Sequence, residues 1–419
     1  MTKQAPVVGE EYLNCIVCTD RYPVNEARYL CDCGGPLSVE RPLELLKSVN
    51  PVLFDQRLLS RKDCDVSGVW RFREAILNLN PSEIVTHPEG QTRLYQRTAL
   101  SQWAGVDELY LKHEGENPTG SFKDRGMTVA VSQAKRLGAQ VVACASTGNT
   151  SSSLAAYAAQ ADLKAVVFLP AGKVALGKMA QAIAYGSQCL MIQGSFDDAM
   201  AVVRELGHDE RIYLVNSLNP FRLEGQKSII WEILQNLNWS VPDWIVVPGG
   251  NLGNTSAFGK AIHEAYEAGW INKKPRLATI QAKGANPFAQ AFQDKFESMS
   301  PVVPETVATA IRIGNPVNYE KAKRVIQSLD GVVAEVDDQA ILAAKALIDR
   351  QGIGCEPASA CSLAGVKKLV AEGVIKSNES VVGILTGHIL KDPDVILQGK
   401  KDLWQETDID VERIKSLIF

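Results

Sequence analysis

Beyond Asp107, apolar runs of four or five residues alternate with longer stretches whose apolar positions recur at helical spacing. The spacing predicts strands over 109–112, 141–145, 165–169, 189–192, 212–215, 244–247, 277–281 and 381–385. It predicts helices over 149–161, 175–185, 196–206, 225–237, 255–267, 337–350 and 359–372. Strand–helix alternation of this kind specifies βαβ units and a parallel sheet, hence an α/β fold class. The chain before Asp107 reads differently. Residues 1–45 are loop-rich and carry cysteines, and 46–88 are helical and irregular, including a helical pattern over Val69–Leu77. No repeat and no low-complexity segment interrupts the chain.

Composition narrows the function classes. The 419 residues are 46% hydrophobic and 22% charged, with a net charge of −4. That balance argues against a disordered chain and against a generic polyanion binder, so no nucleic-acid partner is expected. The longest uncharged stretch, Leu137–Ala161, is broken by a Ser/Thr/Asn cluster and cannot span a bilayer. The opening MTKQAPVVGEE has no apolar core of a signal peptide, so a cytoplasmic location is expected.

The cysteines fall into two sets. Cys64, Cys144, Cys189, Cys355 and Cys361 are scattered and read as reduced thiols. Cys15 and Cys18, followed after twelve residues by Cys31 and Cys33 with two glycines, have the look of a zinc ribbon. The second pair is CxC where a tight knuckle usually has CxxC. Both a zinc-loaded ribbon and a degenerate one held by hairpin packing fit this pattern.

In open α/β sheets, ligands bind outside the carboxyl ends of the strands. Four such ends have unusual loops. After the strand at 244–247 comes Pro-Gly249-Gly250-Asn251-Leu252-Gly253-Asn254, a glycine-rich cradle for a phosphate at a helix N-terminus. It lacks the Lys-Ser/Thr of a P-loop, and the next strand ends without the acid of a dinucleotide site. After 141–145 comes Ser146-Thr147-Gly148-Asn149-Thr150, suited to a carboxylate or phosphate. Asn117-Pro118-Thr119-Gly120 delivers Lys123 to the start of a helical pattern, where the helix dipole disfavours its charged form. After 381–385, Thr386 can hydrogen-bond a heteroaromatic nitrogen. A lysine, a phosphate cradle and a carboxylate-binding turn together point to pyridoxal-phosphate chemistry on an amino acid.

The motifs ENPTGSFKDRG, STGNTS, PAGKVALGKMAQ, NSLNPFRLEGQK, PGGNLGN, AIRIGNPVN, EPASA and TGHILKDP follow one another over residues 85–400. In that order they resemble the fold-type II pyridoxal-phosphate enzymes, and among these the threonine synthase family. The resemblance implies two open, parallel-sheet, three-layer α/β domains around a cofactor cleft, with a zinc-ribbon-like extension outside. It implies a ribbon over 1–45, a helical region over 46–116, a small mobile domain over 117–224, a large cofactor domain over 225–400 and a tail over 401–419. A homodimer is typical of such folds.

The implied cofactor is pyridoxal 5'-phosphate, with Lys123 as its Schiff-base lysine. Phe122 would flank the ring, Asn149 would meet its oxygen, and Thr386 its nitrogen. Gly249, Gly250, Asn251, Leu252, Gly253 and Asn254 would surround its phosphate. The implied substrate is O-phosphohomoserine. Ser146, Thr147 and Thr150 would grip its carboxylate or the neighbouring phosphate, and Lys178, Asn216, Ser217, Arg222 and Asn251 its phosphate. Glu356 is a candidate near the ring, and the role of His388 is open, with a supporting hydrogen bond the simpler reading. His87, His113, His208 and His263 have no ligand spacing and are expected to be non-catalytic. A serine or threonine dehydratase of the same fold and a non-catalytic ligand-binding relative stay open, although an intact Lys123 argues against the latter.

Overall fold

The computed structural model describes residues 10–146, 148–171, 176–194, 196–207, 209–399, 407 and 409–418. Three sheets are present among them. Strands β1 (Tyr12–Cys15), β2 (Arg21–Pro23) and β3 (Leu37–Glu40) form a small antiparallel ribbon in the order β2-β1-β3. Leu13, Cys15, Leu37 and Val39 alternate inward from it and join the core of the large sheet.

That large sheet contains β4 (Leu94–Gln96), β5 (Glu108–His113), β10 (Trp244–Pro248), β11 (Arg276–Ala282), β12 (Val332–Val336) and β13 (Ser380–Leu385). Its order is β12-β11-β10-β13-β5-β4, parallel throughout except for β4 at one edge. The central strand β10 is buried along its whole length, which explains its unbroken apolar sequence. The second sheet, β8-β7-β6-β9, is wholly parallel. It consists of β6 (Val141–Ala145), β7 (Lys164–Pro170), β8 (Gln188–Ile192) and β9 (Ile212–Leu214).

The expected strands are present within a residue or two. The predicted helix over 225–237 begins earlier, at Pro220, and ends at Asn236. Its start is set by Asn219, whose side chain accepts the Phe221 N–H at 3.0 Å, and by proline at the first helical position. The helical pattern over Val69–Leu77 resolves into one 3-10 turn, Trp70–Phe72, and one α turn, Arg73–Ile76. Strands β4 and β12 and the helix Tyr319–Ser328 were not expected from the pattern.

Two long helices cross between the sheets, Lys123–Arg136 and Pro220–Asn236. They touch backbone to backbone. A Cβ on Gly225 would lie 1.7 Å from the Arg125 carbonyl oxygen, and one on Gly126 would lie 2.8 Å from that of Arg222. Buried charges secure the crossing: Arg125 makes a bidentate pair with Glu114 at 2.6 and 2.7 Å and meets Glu232 at 2.9 Å. Lys112 of β5 reaches the other Glu232 oxygen at 2.6 Å. Truncating one partner of such a set would strand a desolvated charge, which typically costs about 3–5 kcal/mol.

Candidate active site

The carboxyl ends of β6, β10 and β13 open onto a common cavity of about 1140 Å³, lined from both parallel sheets. Lys123 is the first residue of its helix and points into this cavity. Its Nζ lies 3.7 Å from the centre of the Phe122 ring. Burial, and then the nearby Arg222 guanidinium, pull its pKa from 10.5 to about 7, against an opposing pull from Glu356. An amine so poised can hold or release a proton near neutrality.

The loop that delivers Lys123 is tightly fastened. Asp124 accepts the Thr119 N–H and hydroxyl at 2.7 and 2.6 Å, and the Ser153 hydroxyl at 2.6 Å. Burial pushes the Asp124 pKa up to about 6 despite these bonds. Ser121 bridges Gly387 in antiparallel fashion, and the Phe122 N–H donates to the Thr386 carbonyl at 3.0 Å. The Lys123 loop and the Thr386 loop therefore form one unit.

Glu356 organises the opposite wall. Its carboxylate accepts the Asn149 amide at 3.0 Å and the Thr386 hydroxyl at 3.2 Å. Ser359 Oγ sits 3.0 Å from Thr386 Oγ1 and accepts the Gly387 N–H at 2.9 Å. Burial raises the Glu356 pKa, and its contacts with Asn149, Lys123 and Thr386 oppose that rise. The amide and hydroxyl expected to meet the cofactor ring are thus held by one buried acid, a role that its place ahead of a Pro-Ala-Ser helix start did not reveal.

Beyond β10 the chain turns sharply. Leu252 takes a left-handed φ of 61°, and the helix Gly253–Glu267 starts at once. The leading N–H groups of this helix have no partner within it and face the cavity, so the end carries partial positive charge. Asn318 binds back to the Asn251 carbonyl through its N–H and side-chain amide, both at 3.2 Å, fixing the turn. Next to it lie three buried polar atoms without a partner among the described residues: Arg222 Nε, Gln226 Oε1 and Asn254 Oδ1. Arg222 otherwise donates to the Val215 carbonyl at 3.0 Å, and burial lowers its pKa to about 10. A helix N-terminus and a cation with a spare donor fit phosphate groups.

Ser146, Asn149, Thr150, Asn216, Ser217, Arg222, Gly250, Asn251, Leu252, Gly253 and Asn254 all line the cavity, as do Phe122 and Thr386. Gly249 lies behind the turn, its N–H bound to the Ile280 carbonyl at 2.7 Å. Thr147, His208 and the Lys178 side chain lie outside the described residues. His113 is buried, and His388 caps the turn Ile389–Lys391 by accepting the Leu390 N–H at 3.2 Å. Arg312, Asn318 and Lys391 also line the cavity, although no role was read for them. The motifs AIRIGNPVN and TGHILKDP contain all three and carried the signal.

A lysine of lowered pKa, an acid-held amide and hydroxyl, and a phosphate-ready helix end fit pyridoxal phosphate. Residues 85–387 match the family model described as pyridoxal-phosphate dependent enzyme. The chain belongs to this family. It is 49% identical to the threonine synthase of Methanocaldococcus jannaschii over 93% of its length and 95% of the relative's. It is 47% identical to that of Methanosarcina acetivorans over 97% and 98%. Within the wider class, this chain is a member of the threonine synthase family. The solved threonine synthase of Escherichia coli shares its fold, with a TM-score of 0.70 over 96% of this chain and 94% of that one at 17% identity. A threonine deaminase of Solanum lycopersicum superposes with a TM-score of 0.63 at 21% identity, covering 80% and 89%. The fold alone therefore does not select the reaction.

Proposed function

We infer that this enzyme converts O-phospho-L-homoserine and water to L-threonine and inorganic phosphate with pyridoxal 5'-phosphate as cofactor. The reading rests on one observation above all. The cavity offers two means of holding phosphate: the 250–254 helix end, and Arg222, whose Nε has no partner among the described residues. A dehydratase acting on a free hydroxy amino acid needs only the first.

Lys123 is the attachment point for the cofactor, with Phe122 beside its ring. Asn149 and Thr386, oriented by Glu356, meet the ring, and residues 250–254 hold its phosphate. When bound, the cofactor supplies an electron sink for charge developing next to the substrate amine. Lys123 Nζ accepts a proton from the substrate carbon and returns one later. Arg222 neutralises the departing phosphate, with Asn216, Ser217 and Asn251 beside it, and the family resemblance adds Lys178. Ser146, Thr147 and Thr150 orient the carboxylate. Residues 117–224 act as a small mobile domain closing on the large domain of 225–400, and exclude water until it is required.

The family resemblance supports a homodimer, and light scattering on the purified chain tests it. A cytoplasmic location is part of the same reading, and fractionation tests it. No described helix is long and apolar enough to cross a membrane. The central assay supplies O-phosphohomoserine and identifies the products. Threonine with one phosphate per turnover is expected; 2-oxobutyrate as the only carbon product would overturn the assignment in favour of a dehydratase.

A further inference from the structure

The N-terminal ribbon carries a cluster that the catalytic reading leaves unused. The sulfurs of Cys15, Cys18, Cys31 and Cys33 all lie within 4.8 Å of one another. The Cys18–Cys31 and Cys15–Cys33 separations are 3.4 and 3.6 Å. Four sulfurs at ~2.3 Å from a central ion form a tetrahedron with edges of ~3.8 Å, close to these values. A disulfide would need ~2.05 Å.

The surroundings are built for thiolates. The Val17 N–H donates to Cys15 Sγ at 3.4 Å, and Tyr22 Oη lies 3.1 Å from Cys31 Sγ. The shortened Cys31-Asp-Cys33 limb is closed by a turn in which the Gly34 N–H meets the Cys31 carbonyl at 2.8 Å. At Gly35 a Cβ would lie 2.7 Å from Cys15 Sγ, so the missing side chain lets the second limb reach the first. Among the described residues no carboxylate or imidazole joins the set. An all-sulfur tetrahedron selects a soft, zinc-class cation over magnesium or calcium.

The segment slung between the ligands reaches the small sheet. The Val24 carbonyl accepts Gln133 and Arg136 of the Lys123 helix at 2.6 and 3.2 Å. Tyr29 Oη accepts the Leu214 N–H of β9 at 2.7 Å, and its ring stands 5.7 Å from that of Tyr213. The other flank of the ribbon grips the large domain. Lys321 donates to the Leu37 carbonyl at 2.5 Å, Lys260 to that of Val39, and Arg41 pairs with Glu264 at 3.1 Å.

We propose that Cys15, Cys18, Cys31 and Cys33 bind one zinc-class divalent cation as thiolates, and that the ion fixes residues 24–31 as a strap joining the ribbon to the small sheet. The ion is structural: it organises a ribbon too small to hold its loop by apolar burial alone. This site is separate from the catalytic assignment and survives if that assignment fails.

The test uses the full chain. Elemental analysis after purification with zinc chloride should give one zinc per chain. Replacing it with cobalt(II) chloride should give the absorption of a tetrahedral tetrathiolate site. Cys18→Ser with Cys33→Ser, at two exposed positions, should abolish both signals. Stripping zinc from the wild type should speed amide exchange at Leu214 by about tenfold or more, while Ile245–Val247 in the large sheet stay protected. Zinc retained by the double variant, no zinc in the wild type, or two disulfides found by mass would overturn the site. Unchanged exchange at Leu214 after stripping would overturn the strap.

Discussion

Replacing Lys123 with methionine in the cofactor-free protein should stabilise it at low pH and lose that advantage as pH rises. Methionine keeps the volume and removes the charge. The folded-state pKa of Lys123 falls from 10.5 to about 7, chiefly by burial and then by Arg222. At 1.36 kcal/mol per pH unit, that fall corresponds to about 5 kcal/mol, and water entering the open cavity reduces it to about 2–5 kcal/mol. The sign follows from proton counting. Between pH 7 and 10.5 the unfolded chain keeps the lysine proton and the folded chain has lost it, so wild-type stability rises with pH in that window. Below pH 7 both states hold the proton, and the folded state bears the whole cost of a buried ammonium. The assay is urea unfolding of wild type and Lys123→Met from pH 6 to 10.5. The variant should be more stable by about 2–5 kcal/mol at pH 6, with the difference shrinking steadily above pH 7. A difference that stays flat across this range would refute the argument that burial and Arg222 prime the amine.

Three further outcomes are expected. Arg222→Met should lower kcat/KM for O-phosphohomoserine by about 100-fold or more, the scale of losing a desolvated charge-assisted contact, while cofactor absorbance is unchanged. Glu356→Ala leaves the Asn149 amide and Thr386 hydroxyl unaimed, and should weaken pyridoxal-phosphate affinity about tenfold in a fluorescence titration. Gly225→Ala drives a methyl to 1.7 Å from the Arg125 carbonyl, and should cost about 3 kcal/mol or more in thermal or urea unfolding, with activity falling alongside.

The loops after β6, β10 and β13 were legible because each packs several turn or hydroxyl residues directly after an apolar run. That chemistry is local, and so it survives in the sequence. The role of Glu356 is not local. Its two partners lie on separate loops, and only the meeting of both sheets brings them to its carboxylate. The influence of Arg222 on Lys123 likewise depends on a helix crossing between distant segments. Strand β12 escaped detection because it lies at an edge, with only Val333 and Val336 buried, and carries no clean alternation. The early start of the Pro220 helix was written in Asn219-Pro220, yet charged and polar residues on the buried face, including Arg222, Glu224 and Lys227, hid its helical stripe.

The crossing at Gly126 and Gly225 has a consequence for selectivity. Lys123 and Arg222, proposed to move protons and to hold the leaving phosphate, stand on two helices with interlocked backbones. The spacing of their backbones is therefore set where the two helices touch. A substrate is measured along its carbon chain by a calliper that is already locked. An analogue one methylene longer or shorter meets that mismatch in full, and swapping loop residues around the cavity will not teach the enzyme to accept it.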